Sequence, residues 1–409
     1  MVAERLKIAI LSVHSCPVGR LGARDTGGMS VYVLELAHEM GKQGHLVDIF
    51  TRAHNSEHEP IIELGENVRL IHLTAGEDEH IHKLAVYLHL PDFACQVESF
   101  RKHNNLQYNL VFSHYWLSAW VGKLLQGWWN VPHMTVFHTL GAVKNAVGIG
   151  EDEPELRIET ERYLVKNCDR IIAATEREKE DIILHYGASP EIIGVIPCGV
   201  NLDLFRPVDK EMAKQQLGIS EGKTILFVGR LEPLKGIDKL LMAMRYITNG
   251  SGLRLVVIGG DGNSRYDLEL QKLSQKLHIQ NAVTFAGLVK QEELPRFYSA
   301  ADVCAVPSHY ESFGLVALES LACGTPVVAT RVGGAESVIR QGVTGYVVAD
   351  NSPGYLAQGV EQLLSRPEVD AEFINSVRAS VSGFSWSNIA EAVIREGKSL
   401  IASYSNREH

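Results

Sequence analysis

Residues 302–330 read DVCAVPSHYESFGLVALESLACGTPVVAT and contain one complete strand–helix–strand pattern. The runs at 302–308 and 325–334 are short and apolar, which is typical of strands buried in a parallel sheet. Residues 313–322, between these runs, are predicted to form an otherwise apolar helix that carries Glu319. A strand, a helix and a second strand in this order predict a βαβ unit.

The same alternation of apolar runs and helical segments recurs along the whole chain. It predicts an α/β fold of two Rossmann-like, doubly wound parallel-sheet domains that face a cleft at the carboxyl ends of their strands. We expect one domain at 1–198 and a second at 199–384, with the hinge near Pro197–Pro207. The amphipathic segment 385–409 is predicted to be a helix, which could pack back on the first domain or remain with the second. The predicted strands are 6–14, 45–53, 68–74, 108–115, 132–139, 169–175, 224–231, 254–260, 282–289, 302–308 and 325–334.

The composition indicates a soluble globular protein. The chain has 409 residues, 45% of them hydrophobic and 22% charged, and a formal net charge of −10. An acidic surface argues against nucleic acid and anionic lipid as partners. No apolar run reaches the roughly 18–20 residues of a membrane span. The first residues lead directly into a strand, which leaves no room for a signal peptide, so we expect a cytoplasmic protein.

The cysteines predict neither disulfides nor a metal centre. The six cysteines are far apart in the sequence, without a Cys-x-x-Cys pair or a nearby His-x-x-x-His. Free cysteines are usually buried small hydrophobic residues, and we expect that role for all six. We therefore expect no metal.

Glu311 and Glu319 are the first candidates for chemistry. In a helix, eight positions span roughly 12 Å. The paired carboxylates of glycoside hydrolases are only about 5–9.5 Å apart, so these two acids do not suit hydrolysis. They suit contact with two different parts of one extended ligand. The alternative to ligand binding is that one of these acids caps a helix N-terminus and the other is an ordinary surface residue.

Two further segments could bind a diphosphate. In GRLEPLKG (229–236), Arg230 ends a predicted strand and Lys235 precedes a helix, and two cations beside a helix N-terminus suit an anion. In RDTGGMS (24–30), paired glycines allow backbone amides to approach an anion closely. Neither segment has the Walker pattern or the Gly-x-Gly-x-x-Gly pattern, which argues against a nicotinamide cofactor. Ordinary solvated turns are the alternative for both.

Taken together, PSHYESFGLVALESLACGTPVVAT (307–330), GRLEPLKG and VGGAESV (332–338) resemble the donor site of the retaining GT-B glycosyltransferases of family 4. The order and spacing of the motifs match, and the resemblance extends over essentially the whole chain. It implies transfer of a hexosyl group, GlcNAc or glucose, from a UDP-sugar with retention of configuration. The UDP-sugar is a substrate, so no cofactor is expected.

The resemblance also implies a role for each donor-site residue. Arg230 and Lys235 would neutralise the diphosphate, Glu311 would bind the transferred sugar, and Glu319 would bind the ribose. The remaining implied donor contacts are Gly28, Phe313, Gly314, Leu315 and Val316.

The N-terminal half is similar to the family branch that glycosylates inositol 3-phosphate in mycothiol synthesis. The similarity is carried by residues 14–37, by SHYWLSAWVG (113–122) and by FHTLGAVKN (137–145). It implies that His138 lies near the reacting anomeric carbon, and His138 joins Arg230, Lys235 and Glu311 in the implied catalytic set. The implied acceptor-phosphate ligands are Lys83, Tyr115, Thr139 and Arg157.

The identity of the acceptor stays open. The inositol branch typically has Asp-Ser-Gly-Gly-Met-Asn where this chain has DTGGMS (25–30). Asp-Thr-Gly-Gly also resembles the sucrose-phosphate synthases, which use fructose 6-phosphate. The sequence leaves room as well for a polymer or lipid acceptor, for a non-catalytic nucleotide-sugar sensor and for a Rossmann oxidoreductase. A homodimer is also left open.

Overall fold

A computed structural model describes residues 5–19, 26–54, 59–76, 81–219, 222–247, 252–366 and 370–405. The chain divides into two compact units. The first unit comprises Met1–Ala146, Glu153–Pro197 and Trp386–His409, and the second comprises Val147–Asp152 and Cys198–Ser385. Each unit contains a parallel sheet with helices, so the predicted fold class of two parallel-sheet α/β domains is confirmed.

The sheet of the first unit has the order β3-β4-β2-β1-β5-β6-β7-β8 in the described part of the chain. All its pairings are parallel except that of β3 with β4. The order reverses between β1 and β5, and side chains at the carboxyl ends of such strands typically form ligand sites. The strands are β1 (Lys7–Leu11), β2 (Leu46–Arg52), β3 (Ile61–Gly65), β4 (Val68–Leu73), β5 (Leu110–His114), β6 (His133–Val136), β7 (Arg170–Ala173) and β8 (Ile193–Val195).

Helices connect these strands. β5 and β6 are fully buried, and β5 packs directly against α4. Tyr115 follows the carboxyl end of β5, and His138 and Thr139 follow that of β6. The helices are α1 (Gly28–Lys42), α2 (Lys83–Leu88), α3 (Leu90–His103), α4 (Trp116–Trp129), α5 (Gly141–Val147), α6 (Glu155–Asn167) and α7 (Glu176–Tyr186).

The sheet of the second unit has the order β11-β10-β9-β12-β13-β14 among the described residues, with every neighbouring pair parallel. Its strands are β9 (Thr224–Val228), β10 (Arg254–Ile258), β11 (Val283–Gly287), β12 (Val303–Val306), β13 (Val327–Thr330) and β14 (Gly345–Val348). Its helices are α8 (Lys210–Leu217), α9 (Ile237–Ala243), α10 (Arg265–Lys276), α11 (Leu294–Ala300), α12 (Leu315–Ala322), α13 (Ala335–Val338), α14 (Pro353–Leu364) and α15 (Ala371–Ala379). The predicted strand–helix–strand unit at 302–330 is β12, α12 and β13.

The last helix, α16 (Trp386–Ser405), belongs to the first unit and packs along α1. Its apolar stripe is buried, and the ring of Trp386 meets the ring of Tyr32 edge-on at 5.3 Å. A Cβ on Gly397 would lie 3.0 Å from Leu110 Cδ2, so the small residue lets the helix lie close to β5. The amphipathic pattern predicted this helix, and the apolar face covers α1.

Five of the six cysteines are buried, but Cys95 is exposed. The prediction that all six are buried is therefore wrong for Cys95. This residue lies on the solvent side of α3, whose opposite face buries Phe93, Ala94 and Val97. Among the described helices, none combines the length and the apolar character that a membrane crossing requires.

Candidate active site

The loop after β9 in the second unit carries the two predicted diphosphate-binding cations. Arg230 is half-exposed and pairs with Glu232, with 3.1 Å between Nη2 and Oε1. Lys235 ends a single 3-10 turn, Pro233–Lys235, directly before α9. Gly236 then adopts a φ of 66°, and a Cβ there would lie 2.1 Å from Pro307 O. Glycine is therefore needed to bring this loop against the loop that follows β12.

Lys235 meets Glu311, which is 76 positions away in the sequence. Lys235 Nζ lies 2.6 Å from Glu311 Oε1, and Ser308 Oγ donates to the same oxygen at 2.8 Å. Both groups are mostly buried, so the ammonium and the carboxylate hold each other in one place. The structure thus brings two predicted donor-site residues together and adds Ser308, which the sequence analysis did not single out.

The glycine pair at 333–334 shapes the segment that carries Glu311. Gly334 N donates to Phe313 O at 2.8 Å. Gly333 has a φ of 55°, and a Cβ there would lie 2.9 Å from Glu311 Cβ. Helix α12 begins two residues after Phe313, and in its first turn Ala317 N donates to Gly314 O at 3.1 Å. The glycines of the VGGAESV motif therefore pack against the segment that carries Glu311.

Glu319 lies inside the unit, on α12, and is buried. The hydroxyl of Tyr298, which is itself fully buried, donates to Glu319 Oε2 at 2.6 Å. Burial, and then the neighbouring Glu319, raise the pKa of the Tyr298 hydroxyl well above its usual value, so it stays a proton donor. The alternative of a surface acid does not apply to Glu319. No sequence motif pointed to Tyr298.

In the first unit, Arg157 on α6 is the centre of the predicted acceptor site, and its side chain is almost fully buried. Its Nη2 donates to Thr139 O at 2.7 Å and to Thr139 Oγ1 at 3.0 Å. Its guanidinium carbon lies 4.8 Å from the centre of the Tyr115 ring. Its Nε donates to Glu161 Oε1 at 2.7 Å. Three of the four predicted phosphate ligands are thus in direct contact.

Lys83, the fourth, joins the others through Glu153. Lys83 Nζ and Arg157 Nη1 lie 3.5 and 2.9 Å from Glu153 Oε2, and Lys144 Nζ bonds to the other carboxylate oxygen. Burial alone would raise the pKa of the Glu153 carboxyl. The charges of Arg157, Lys144 and Lys83 outweigh burial and lower that pKa to about 2. A buried carboxylate therefore lies among three cations in the predicted phosphate site.

His138 lies beside this site, after β6. It is half-buried and has a φ of 60°, which is unusual for a residue other than glycine. Its Nε2 lies 3.0 Å from His114 Nδ1, and the Tyr32 ring meets its ring edge-on at 5.1 Å. Burial lowers the pKa of His138 to about 3. His138 is therefore a neutral imidazole at physiological pH and is suited to hydrogen bonding rather than to acid catalysis.

Comparison with known proteins gives the family. The family described as "Glycosyltransferase Family 4" matches residues 26–204, and the one described as "Glycosyl transferases group 1" matches residues 209–380. The chain belongs to glycosyltransferase family 4. It is 39% identical over 399 residues to the D-inositol 3-phosphate glycosyltransferase of Geodermatophilus obscurus, covering 95% of this chain and 88% of that protein. The protein of the same description from Corynebacterium diphtheriae is 37% identical, with 94% and 93% covered.

A solved structure supports the same assignment. The sucrose-phosphate synthase of Thermosynechococcus elongatus matches with a TM-score of 0.88 and 34% identity, over 98% of this chain and 100% of that one. The protein is therefore a GT-B glycosyltransferase, and that part of the prediction is confirmed.

Two residues of the acceptor site, Lys144 and Glu153, were not predicted from the sequence. Lys144 lies within FHTLGAVKN, a motif that implied roles for His138 and Thr139 alone, and Glu153 lies in the acidic run EDEPE, which is typical of solvent-exposed turns. Gly28 begins α1, but Asp25 of the same glycine-rich segment lies outside the described residues. Within the described ranges, no group of three or more His, Cys, Asp or Glu side chains is arranged to hold a metal ion.

Proposed function

We propose that this glycosyltransferase moves a hexosyl group, GlcNAc or glucose, from a UDP-sugar to a phosphorylated polyol or sugar, with retention of configuration. Inositol 3-phosphate is the first candidate acceptor. The observation that carries the proposal is the group of buried Arg157 and partly buried Lys83 and Lys144 in the first unit. Three cations beside two hydroxyl-bearing side chains suit a phosphomonoester, which carries about −1.5 to −2 charges at neutral pH.

In the second unit, the donor-binding roles follow from the loops after β9 and β12. Arg230 and Lys235 bind the diphosphate, and Lys235 can turn from Glu311 to the phosphate when the donor enters. Glu311 then accepts hydrogen bonds from the transferred sugar. Glu319, held by Tyr298, accepts from the ribose hydroxyls. The amides of Leu315 and Val316, among the first in α12, supply neutral donors.

The reaction proposed is a front-face displacement. The bond between the anomeric carbon and the diphosphate oxygen breaks, and the acceptor oxygen forms the new bond on the same face. The departing diphosphate oxygen takes the acceptor's proton, so no separate base is needed. Arg230 and Lys235 stabilise the negative charge that develops on the leaving group, which is usually the largest catalytic effect of a site of this kind. Neutral His138 is proposed to contact a hydroxyl of the transferred sugar. No metal or cofactor takes part in this scheme.

Fructose 6-phosphate is the second candidate acceptor. The sucrose-phosphate synthase of Thermosynechococcus elongatus supports it, because its fold and 34% of its residues match this chain. The inositol 3-phosphate enzymes are 37–40% identical over at least 94% of this chain, which favours inositol 3-phosphate slightly. A polymer or lipid acceptor without a phosphate would make no use of the cations Lys83, Lys144 and Arg157.

The test is UDP release from UDP-GlcNAc and UDP-glucose, each with inositol 3-phosphate or fructose 6-phosphate. We expect release with UDP-GlcNAc and inositol 3-phosphate, and proton NMR of the product should show the anomeric configuration of the donor. Lys235→Met should lower the rate by roughly 10²–10³-fold, because it removes a charge that stabilises the leaving group. Lys239→Met, on the nearby surface of α9, is the matched control. Silence with both acceptors, or an inverted product, would contradict the proposal.

A further inference from the structure

The buried carboxylate of Glu153 occupies the phosphate site of the first unit. It is 6% exposed and lies within 3.5 Å of Lys83 Nζ and 2.9 Å of Arg157 Nη1, and it also bonds to Lys144. The three cations approach both oxygens of the one carboxylate. A single buried carboxylate thus has more cationic partners than its charge can neutralise.

Among the described residues that form ion pairs here, the charges do not balance without a further anion. Lys83, Lys144 and Arg157 contribute three positive charges, whereas Glu153 and Glu161 contribute two negative ones. Groups of this kind are stable when buried only if each charge is paired and hydrogen-bonded. The surplus is positive, so the site favours an anion.

Arg157 also has an unused donor. Although its Nη1 lies 2.9 Å from Glu153 Oε2, no acceptor among the described residues is aligned for a hydrogen bond with this buried nitrogen. Its other nitrogens are well bonded, Nε to Glu161 and Nη2 to Thr139. An oxygen placed differently from those of Glu153 would satisfy Nη1.

The backbone of Glu153 is held by hydrogen bonds, whereas the three cations are the partners that the described residues offer to its carboxylate. Asn145 Nδ2 donates to Glu153 O at 3.0 Å, and Glu153 N donates to Asn145 Oδ1 at 2.7 Å. The Asn145 side chain therefore anchors both backbone groups of Glu153. A departure of the carboxylate from the cations would leave these two backbone hydrogen bonds in place.

We propose that Lys144 is a third phosphate-binding cation and that Glu153 holds the three cations in place until the acceptor's phosphate displaces its carboxylate. This inference rests on the proposed function, because it assigns the anion that enters as the acceptor phosphate. A phosphate dianion offers three oxygens and nearly twice the charge of the carboxylate, so it can satisfy Lys83, Lys144 and Arg157 Nη1 together. Repulsion between the two anions then drives Glu153 out.

The exchange makes Glu153 a specificity-determining residue. A neutral acceptor of the same shape, such as free inositol or fructose, cannot compete with a carboxylate for three cations. Such an acceptor leaves Glu153 in place and the site occupied. Only a ligand that brings its own anion opens the site, so the phosphate of the substrate is required for entry as well as for binding.

The experiment measures the binding of inorganic phosphate to the whole protein by thermal shift, without donor or acceptor. Glu153→Gln keeps the shape of the side chain and removes the competing charge. We expect a lower melting temperature in the absence of phosphate, and half-saturation at roughly tenfold lower phosphate than in the wild type. Lys144→Met should raise the half-saturating phosphate at least tenfold. Lys102→Met, on the exposed surface of α3, should change neither.

Each outcome decides one point. If Glu153→Gln binds phosphate as weakly as the wild type or more weakly, Glu153 only positions the cations and the exchange is refuted. If Lys144→Met leaves phosphate binding unchanged, Lys144 is not a ligand. Should Glu153→Gln fail to fold, Glu153→Asp, with its carboxylate withdrawn by one methylene, must still lower the half-saturating phosphate. If the wild type and every variant ignore phosphate, the phosphate site of the proposed function fails as well, which separates the two failures.

Discussion

Replacing Tyr298 with phenylalanine removes one oxygen atom from the interior of the second unit. That oxygen belongs to a fully buried hydroxyl, which donates to Glu319 at 2.6 Å. The ring itself keeps its place, because phenylalanine has the same shape. The change therefore isolates the hydrogen bond that holds the carboxylate proposed to bind the ribose.

The size of the effect follows from the burial of both partners. A hydrogen bond to a charged group contributes about 1.5–3 kcal/mol to stability, and a carboxylate that loses such a donor in the interior meets the upper part of that range. For a unit of this size, each kcal/mol corresponds to a melting-temperature change of about 2–4 °C. Tyr298→Phe should therefore lower the melting temperature of the second unit by roughly 3–12 °C.

The assay has two parts. Differential scanning calorimetry measures the transition of the second unit, and isothermal titration with UDP measures donor-site binding. We expect the UDP dissociation constant to rise about tenfold, which corresponds to about 1.4 kcal/mol, because Glu319 loses its fixed orientation. Tyr355→Phe is the matched control, since Tyr355 lies half-exposed on α14 of the same unit.

Two results would refute this reasoning. If Tyr298→Phe melts like Tyr355→Phe, the hydrogen bond does not stabilise the buried carboxylate. If stability falls but UDP binds as tightly as before, Tyr298 supports the core alone and the ribose role of Glu319 loses its structural basis.

Three further changes test other parts of the structure. Burial raises the pKa of the Glu178 carboxyl to about 7, so the folded protein holds the carboxyl proton more tightly than the unfolded chain does. The stability that this proton contributes is therefore lost as the pH rises from about 4.5 to 7. Urea unfolding should therefore show that Glu178→Gln has a free energy of unfolding about 1–3 kcal/mol above that of the wild type at pH 8, and an equal one near pH 4. Equal unfolding curves at both pH values would contradict the raised pKa of Glu178. Gly333→Ala places a Cβ 2.9 Å from Glu311 Cβ at a residue with a left-handed backbone conformation. It should lower the free energy of unfolding by about 1–3 kcal/mol and weaken UDP binding. Gly354→Ala is the control and should do neither, because its Cβ meets open space. Arg378→Met removes hydrogen bonds to three backbone carbonyl groups and should lower the calorimetric stability of the second unit by about 2–4 kcal/mol; a loss below 1 kcal/mol would mean that water replaces them.

The apolar runs of the sequence predicted most of the sheet, because a strand buried on both faces has few polar residues. β3 is different: IIELG (61–65) alternates between exposed and half-buried residues at the edge of its sheet and contains no long apolar run. β8 and β14 are short, and their patterns are only partly buried. Edge position and short length, which the sequence does not display, explain these omissions.

The site was predictable where a motif concentrates unusual residues in a loop. Lys235 and Glu311 belong to such motifs, and the structure places them in contact. Glu153 was not predictable, because an acid within EDEPE is expected to be solvated, and the sequence does not show that Lys83, 70 positions away, joins Lys144 and Arg157 around it. Tyr298 was missed for a similar reason, since a tyrosine on an ordinary helix gives no sign that its hydroxyl meets a buried carboxylate. Pairings between distant segments are a property of the fold.

The position of α16 also determines the order in which the two units mature during synthesis. Residues 1–197 leave the ribosome first, but the helix that covers α1 comes after the entire second unit. Until Trp386 and the residues after it emerge, the nascent first unit presents an uncovered apolar face, while the second unit already has all of its strands. The half of the protein that is translated first thus receives its last helix only after the other half has been synthesised.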